Sequence, residues 1–176
     1  MASPHARVGT RTAKRPARRG EIDATSLLED EHRQVAAWFG DYERTDDEAE
    51  KARLSERICL ALKVHTQVEE EVFYPAARAA LKADQEAMVD EAVVEHAAAK
   101  ALIAEIEQME VDEDLYDARI KVLSEMIEHH VREEETSLFP ACRGTDLDLA
   151  ALGARLAARR DELTRKLARP NGRRAM

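Results

Sequence analysis

The sequence predicts an all-α fold: an up-down antiparallel four-helix bundle with an additional C-terminal helix and a disordered basic N-terminal tail. Three observations carry that expectation. Only six Gly, five Pro and seven aromatic residues occur in 176, a composition poor in turn and β formers and rich in Ala, Leu, Glu and Arg. Apolar residues recur at alternating spacings of four and three in five successive segments, the narrow seam of a helix packed in a bundle. Short polar stretches separate the segments, as antiparallel neighbours require. The expected division is a tail over 1–22, a four-helix bundle over 23–143, and a last helix with a second basic tail over 144–176.

The first twenty residues hold six Lys or Arg, no acid and no hydrophobic periodicity, which predicts disorder. Asp23 is an N-cap residue for the first helix, with Ser26 and Glu29 a second start signal; its seam is Leu28, His32, Val35, Phe39 and Tyr42. Thr45 with Glu48 opens the second helix, whose stripe reads Leu54, Ile58, Ala61, His65, Glu69 (or Val68) and Val72. Asp84 opens the third, with Val89, Ala92, His96, Ala99, Ile103 and Ile106. The acidic turn 111–114 leads to the fourth, with Tyr116, Ile120, Leu123, Ile127, His130 and Glu134. Pro75 and Pro140 are expected to end or kink the second and fourth helices. Gly144 and Thr145 precede the last helix, which carries Leu149, Leu152, Leu156, Leu163 and Leu167 on one side.

The net charge of −9 conceals a segregation. Each end of the chain, 1–20 and 155–176, carries a net +6, which leaves 13 basic and 34 acidic residues, a net −21, in 21–154. A body this acidic excludes nucleic acid from its own face and leaves only the basic tails for such a contact; solvated extensions are their simpler reading. No apolar run approaches the roughly 18 residues of a membrane span, and no secretory signal precedes the first helix, so a cytoplasmic protein without membrane contact is expected. Cys59 and Cys142 lie far apart, outside any CxxC spacing, and read as small core residues.

Four of the six histidines fall on seams where apolar residues belong, one on each of the first four helices. The midpoints between successive seam histidines fall at 48–49, 80–81 and 113, each in a polar connection. Residues equidistant from a turn share a height in an up-down bundle, so His32, His65, His96 and His130 should form one inward-facing layer. A repeat underlies the layer. Glu31-His32 recurs as Glu95-His96, and HTQVEEEVFYP at 65–75 recurs as HVREEETSLFP at 130–140, which relates the two hairpins by a pseudo-twofold axis.

A His and a Glu four residues apart share a helical face, about 6 Å apart at Cβ, and can converge on one ion or on neighbouring ions. Two such pairs, His65 with Glu69 and His130 with Glu134, join His32 and His96 at the bundle axis. Burying the two carboxylates without a cation would cost several kcal/mol each. Four imidazoles and two carboxylates exceed what one tetrahedral zinc needs and suit two ions of iron or manganese type. His129 points about 100° away from its neighbour and reads as exposed or as a partner of a ligand. Glu31 and Glu95 precede seam histidines and read equally well as imidazole partners or as a solvated face. Glu70, Glu71, Glu133 and Glu135 read as surface charges. Trp38, Phe39, Phe73 and Phe139 read as packing, and Tyr42, Tyr74 and Tyr116 either as packing or as electron relays.

The pattern H…H-x3-E…H…H-x3-E, with its two Phe-Tyr-Pro and Leu-Phe-Pro endings, resembles the hemerythrin HHE cation-binding domain over about 27–142. The resemblance implies a four-helix bundle with a non-haem di-iron centre, two Fe ions being a better fit than Mn or Zn. Its ligands would be His32, His65, Glu69, His96, His130 and Glu134, with both glutamates bridging. By analogy, His32 and His130 would serve one iron and His65 and His96 the other. The oxygen-carrying members have a fifth histidine where Lys100 stands here and an Asp where Glu134 stands, which implies more open coordination and a chemistry other than reversible oxygen carriage. The implied ligands are O2, NO or peroxide, in stress response or iron handling. Iron storage or donation, and reversible carriage or sensing without turnover, are the alternatives. Neither a redox partner nor an oligomeric state is implied.

Overall fold

The computed structural model describes residues 23–168, so the basic N-terminal tail and residues 169–176 lie outside the described residues, while the basic residues from Arg155 to Lys166 fall in the last helix. Helices α1 (Ala24–Arg44), α2 (Glu48–Val68), α3 (Tyr74–Ala80), α4 (Glu86–Ile106), α5 (Tyr116–Glu133), α6 (Phe139–Arg143) and α7 (Leu149–Leu167) succeed one another, with no strand among the described residues. Five-residue π-helical turns, Glu69–Phe73 and Glu134–Leu138, join α2 to α3 and α5 to α6 without a break. Five rods result. α1 packs on α2 and α4 on α5, the two hairpins close into the expected bundle, and α7 lies against α1 and α2.

The start signals hold in part. Asp23 caps α1 as expected, its carboxylate accepting from the Ser26 N–H at 3.0 Å. The cap of α2 is Asp47 and not Thr45; its carboxylate accepts from the Glu50 N–H at 2.8 Å. Thr45 instead terminates α1, its backbone N–H donating to the Tyr42 carbonyl and its hydroxyl accepting from the Asp47 N–H. Asp84 falls in a 3₁₀ turn, Ala83–Gln85, and α4 begins at Glu86. Leu115, at φ 72°, turns the chain into α5.

The two prolines do not end their helices. The Tyr74 N–H reaches the Glu69 carbonyl and the Phe139 N–H the Glu134 carbonyl, so each π turn opens on a seam glutamate and closes one residue before a proline. Pro75 and Pro140 then stand in the first turn of α3 and α6, where a missing N–H costs nothing. The wider turn takes in one extra residue and rotates the helix beyond it. Tyr74 is therefore buried beside Phe73, while Val72, on the stripe by α-helical count, is only half-buried.

The core is divided. One hydrophobic cluster holds Leu28, Val64, Phe73, Phe139 and the α7 residues Leu152, Leu156 and Leu163. A second holds Phe39, Ile58, Ile103, Ile120 and Leu123. The buried polar side chains include His32, His65, Glu69, His96, His130 and Glu134, one from the seam of every bundle helix and both π turns. At the far end, the Tyr42 hydroxyl donates to Asp117 at 2.6 Å, and Tyr116 bonds Ser55 at 2.5 Å.

Because Leu156 and Leu163 are fully buried, α7 is part of the same core as the bundle. Leu156→Ala should lower the unfolding free energy by about 2–5 kcal/mol, read from the shift of the denaturation midpoint at unchanged m-value; a shift within error would mean that α7 is only loosely attached.

Candidate metal centre

The periodicity places each seam histidine on the inner face of its helix, and the six buried polar side chains meet there. The Nε2 atoms of His32 and His65 are 3.1 Å apart, and those of His96 and His130 are 3.0 Å apart. Glu69 Oε2 lies 3.2 Å from His65 Nε2 and 3.4 Å from His96 Nε2. Glu134 Oε2 lies 3.4 Å from His32 Nε2 and 3.5 Å from His130 Nε2. Donor atoms gather in two sets within 4.8 Å: His32, His65, Glu69 and Glu134 in one, and Glu69, His96 and His130 in the other. The histidines thus pair within each hairpin, His32 with His65 and His96 with His130. The expected pairing of His32 with His130 and His65 with His96 is the one the glutamates make, each carboxylate reaching from its own hairpin to a histidine of the other.

The outer nitrogens are held as well. The Nδ1 of His65 lies 2.8 Å from Glu31 and that of His130 lies 2.7 Å from Glu95. The Nδ1 of His32 lies 2.9 Å from Glu135 and that of His96 lies 3.2 Å from Glu70. An ionised carboxylate only accepts, so each contact fixes a proton on Nδ1 and aims Nε2 at the centre. Glu31 and Glu95 are therefore imidazole partners and not a solvated face. Glu70 and Glu135 are partners too, not the plain surface charges their positions suggest. Both reach across to the opposite hairpin, a relation that spacing along one helix does not reveal. Glu70 also takes both hydrogen bonds of Lys100, at 2.6 and 2.8 Å, so the lysine at the fifth-histidine position points away from the centre.

Tyr74 breaks the twofold pattern. Its hydroxyl donates to Glu134 Oε1 at 2.9 Å and lies 3.2 Å from His96 Nε2. Burial, reinforced by the charges of Glu69 and Glu134, holds this phenol well above its usual pKa, so it remains a donor. The equivalent residue in the second half, Phe139, instead stacks on His32 with the rings 9° from parallel. Of the three tyrosines, Tyr74 alone touches the centre. The register reached by an α-helical count hides this, because the π turn is what swings Tyr74 inward. His129 stands outside, 57% exposed at its side chain.

The donor set fits a cation. Glu69 Oε1 and Oε2 and Glu134 Oε2 are buried without any hydrogen-bond partner. Such atoms are rarely left unpaired, because each forfeits the hydration of a charge. Burial opposes ionisation of Glu69, but His65 and His96 pull its pKa well below the carboxylate range. The same contact, with Glu31, holds His65 well above the usual imidazole value against its own burial. A proton on His65 therefore occupies electrostatically the place that suits a metal ion, and imidazole with carboxylate suits first-row transition cations. A cavity of about 10 Å³, lined by the four histidines and by apolar groups such as Leu62 and Ile127, has room for about one water-sized molecule. Burial raises the Cys59 and Cys142 thiols to about 12 and about 11, so both remain protonated and take no part.

None of the described helices is long and apolar enough to cross a membrane. No curated protein matches the chain. In fold it is similar to a hemerythrin HHE cation-binding domain-containing protein of Mycobacterium kansasii, with a TM-score of 0.69 and 20% identity over 82% of this chain and 89% of that one. The family model of the hemerythrin HHE cation-binding domain matches residues 23–142, the span that supplies both hairpins and every member of the buried layer. The chain belongs to the hemerythrin HHE cation-binding domain family.

Proposed function

We propose that this is a di-iron protein that holds two iron ions on His32, His65, Glu69, His96, His130 and Glu134 and reacts with peroxide, O2 or NO. The observation that carries the reading is the trio of buried, orphaned carboxylate oxygens gathered with four buried imidazoles. His32 and His65 would serve one ion and His96 and His130 the other, with Glu69 and Glu134 shared. Bound there, iron would supply Lewis acidity and electrons to a small oxidant or diatomic ligand. The rest is the work of the chain. Glu31, Glu70, Glu95 and Glu135 hold the imidazoles in the right tautomer, and Tyr74 fixes one oxygen of Glu134. The cavity of about 10 Å³ among the four imidazoles supports a ligand of very few atoms.

Reaction is favoured over reversible carriage by Lys100 and Ala92, which stand one turn either side of His96 and leave each ion only two nitrogens. Two free, buried thiols support a reducing cytoplasmic setting.

Three outcomes test the reading. The purified chain should contain about two iron ions, retained in His129→Ala and lost in His65→Ala/His130→Ala; full iron content in the double variant, by metal analysis, would falsify the site. Iron at a hundredfold excess over its Kd should raise the thermal midpoint by about 5–10 °C, since metal-free folding must bury the unpaired glutamates; equal melting with and without metal would show that they are solvated. Reduced protein exposed to air should pass to a stable oxidised spectrum that degassing does not reverse, and its consumption of H2O2 should exceed that of the same iron free in solution. A spectrum restored by removing O2, without peroxide turnover, would instead make it a carrier or sensor.

A further inference from the structure

The repeat that builds the centre is broken on its outer side. Aligned through the paired histidines, Leu27, Val64 and Val68 of the first hairpin match Glu91, His129 and Glu133 of the second. The first three are buried in one cluster with the α7 residues Leu152 and Leu156. α7 packs on α1, α2 and the first π turn. The cleft of about 280 Å³ beside it reaches Glu31 and His65, but is walled by Trp38, Leu60 and Val64 and carries Arg57 and Arg160, whose charge repels cations. The matching face of α4 and α5 holds a cleft of about 160 Å³. Glu91, Glu95 and Glu133 line it towards solvent, and His130 and Glu134 line it towards the centre.

His129 Nε2 lies 3.4 Å from Glu95 Oε1 and 3.4 Å from Glu133 Oε1, so an imidazole and two carboxylates gather within ligand distance of a single ion on this face. Exposed acids alone would mean little. Here the cleft ends on Glu134, which is 2% exposed and whose Oε2 has no hydrogen-bond partner. Glu95 links the two levels, one oxygen facing His129 and the other accepting from His130 Nδ1 at 2.7 Å.

We propose that this cleft is the port through which a divalent transition-metal cation is captured, on Glu95, His129 and Glu133, and delivered to His130 and Glu134. The inference rests on the di-iron reading of the buried layer. Clustered carboxylates at the mouth of a low-dielectric cleft raise the local concentration of cations and repel anions. An imidazole among them favours a first-row transition ion over an alkali or alkaline-earth ion. Successive carboxylates let the ion shed its water in steps, each lost water replaced by a protein oxygen. Along the first hairpin the same path would run through Leu27, Val64 and Val68, where a bare cation has no partner.

The test uses Co(II), whose visible absorption reports binding by the inner histidines without redox chemistry. Metal-free full-length protein is mixed with Co(II) at low ionic strength in a stopped-flow instrument. In Glu91→Gln/His129→Gln/Glu133→Gln, which spares Glu95 because it holds His130, loading should slow about tenfold or more while the final absorbance is unchanged. Added salt should slow the unaltered protein towards the variant. Glu125→Gln/Glu128→Gln, which removes the same charge from α5 outside the cleft, should load at the normal rate. A triple variant that loads within twofold of the unaltered protein, to the same end point, would overturn the port and leave the metal centre standing. Equal slowing by the control pair would overturn it too, showing only a general effect of charge. Failure of the unaltered chain to bind cobalt at all would overturn the centre, and the port with it.

Discussion

Two glutamates buried at the axis of a helical bundle set the terms for everything around them. An ionised carboxylate out of water must be compensated by a proton, a cation or several donors. Glu69 has none of its own among hydrogen bonds, and Glu134 has one, from Tyr74. The four histidines stand where they do because these oxygens do. Four further glutamates stand behind the histidines, and Lys100 and Arg160 pair with two of those, Glu70 and Glu31. The polar layer is thus an ordered set of alternating charges reaching from the axis to solvent, and the hydrophobic core is split into two clusters that serve as its floor and roof.

Much of this is legible in the sequence because it depends on periods that a helix imposes. The seam positions of His32, His65, His96 and His130, their common height and the inward aim of Glu69 and Glu134 all derive from the 4-3 spacing and short turns, and the structure brings all six together. The register also favours His130 over His129, and the structure buries the first and exposes the second. What spacing along one helix does not carry is contact between helices. Glu70 and Glu135 are adjacent to seam glutamates and look solvated by count, yet each reaches a histidine of the other hairpin. The pairing of His32 with His65 likewise depends on how hairpins close, not on height.

Tyr74 and the prolines escape the helical count for a different reason. That count assumes 3.6 residues per turn throughout, whereas the turns at Glu69 and Glu134 are wider. Pro75 and Pro140 are the visible trace of that change, since each removes an N–H just where the hydrogen-bonding register returns to α. A proline placed six residues after a seam glutamate, twice in one chain, therefore marks a register shift more than a helix end.

The carboxylates that surround the imidazoles also fix the electroneutrality of the layer. Glu69 and Glu134 at the axis, with Glu31, Glu70, Glu95 and Glu135 outside, contribute six negative charges, and Lys100 and Arg160 return two positive ones. With neutral histidines the layer holds a formal charge of −4, the charge that two divalent cations cancel. An oxidised pair could keep the same balance only by taking up two negative charges from solvent, as hydroxide or a bound anion, or by giving the layer's protons back. Were the proposed pair of ions bound, the polypeptide would be matched in charge to their divalent state, and a change of valence would be accompanied by movement of protons or small anions through the layer.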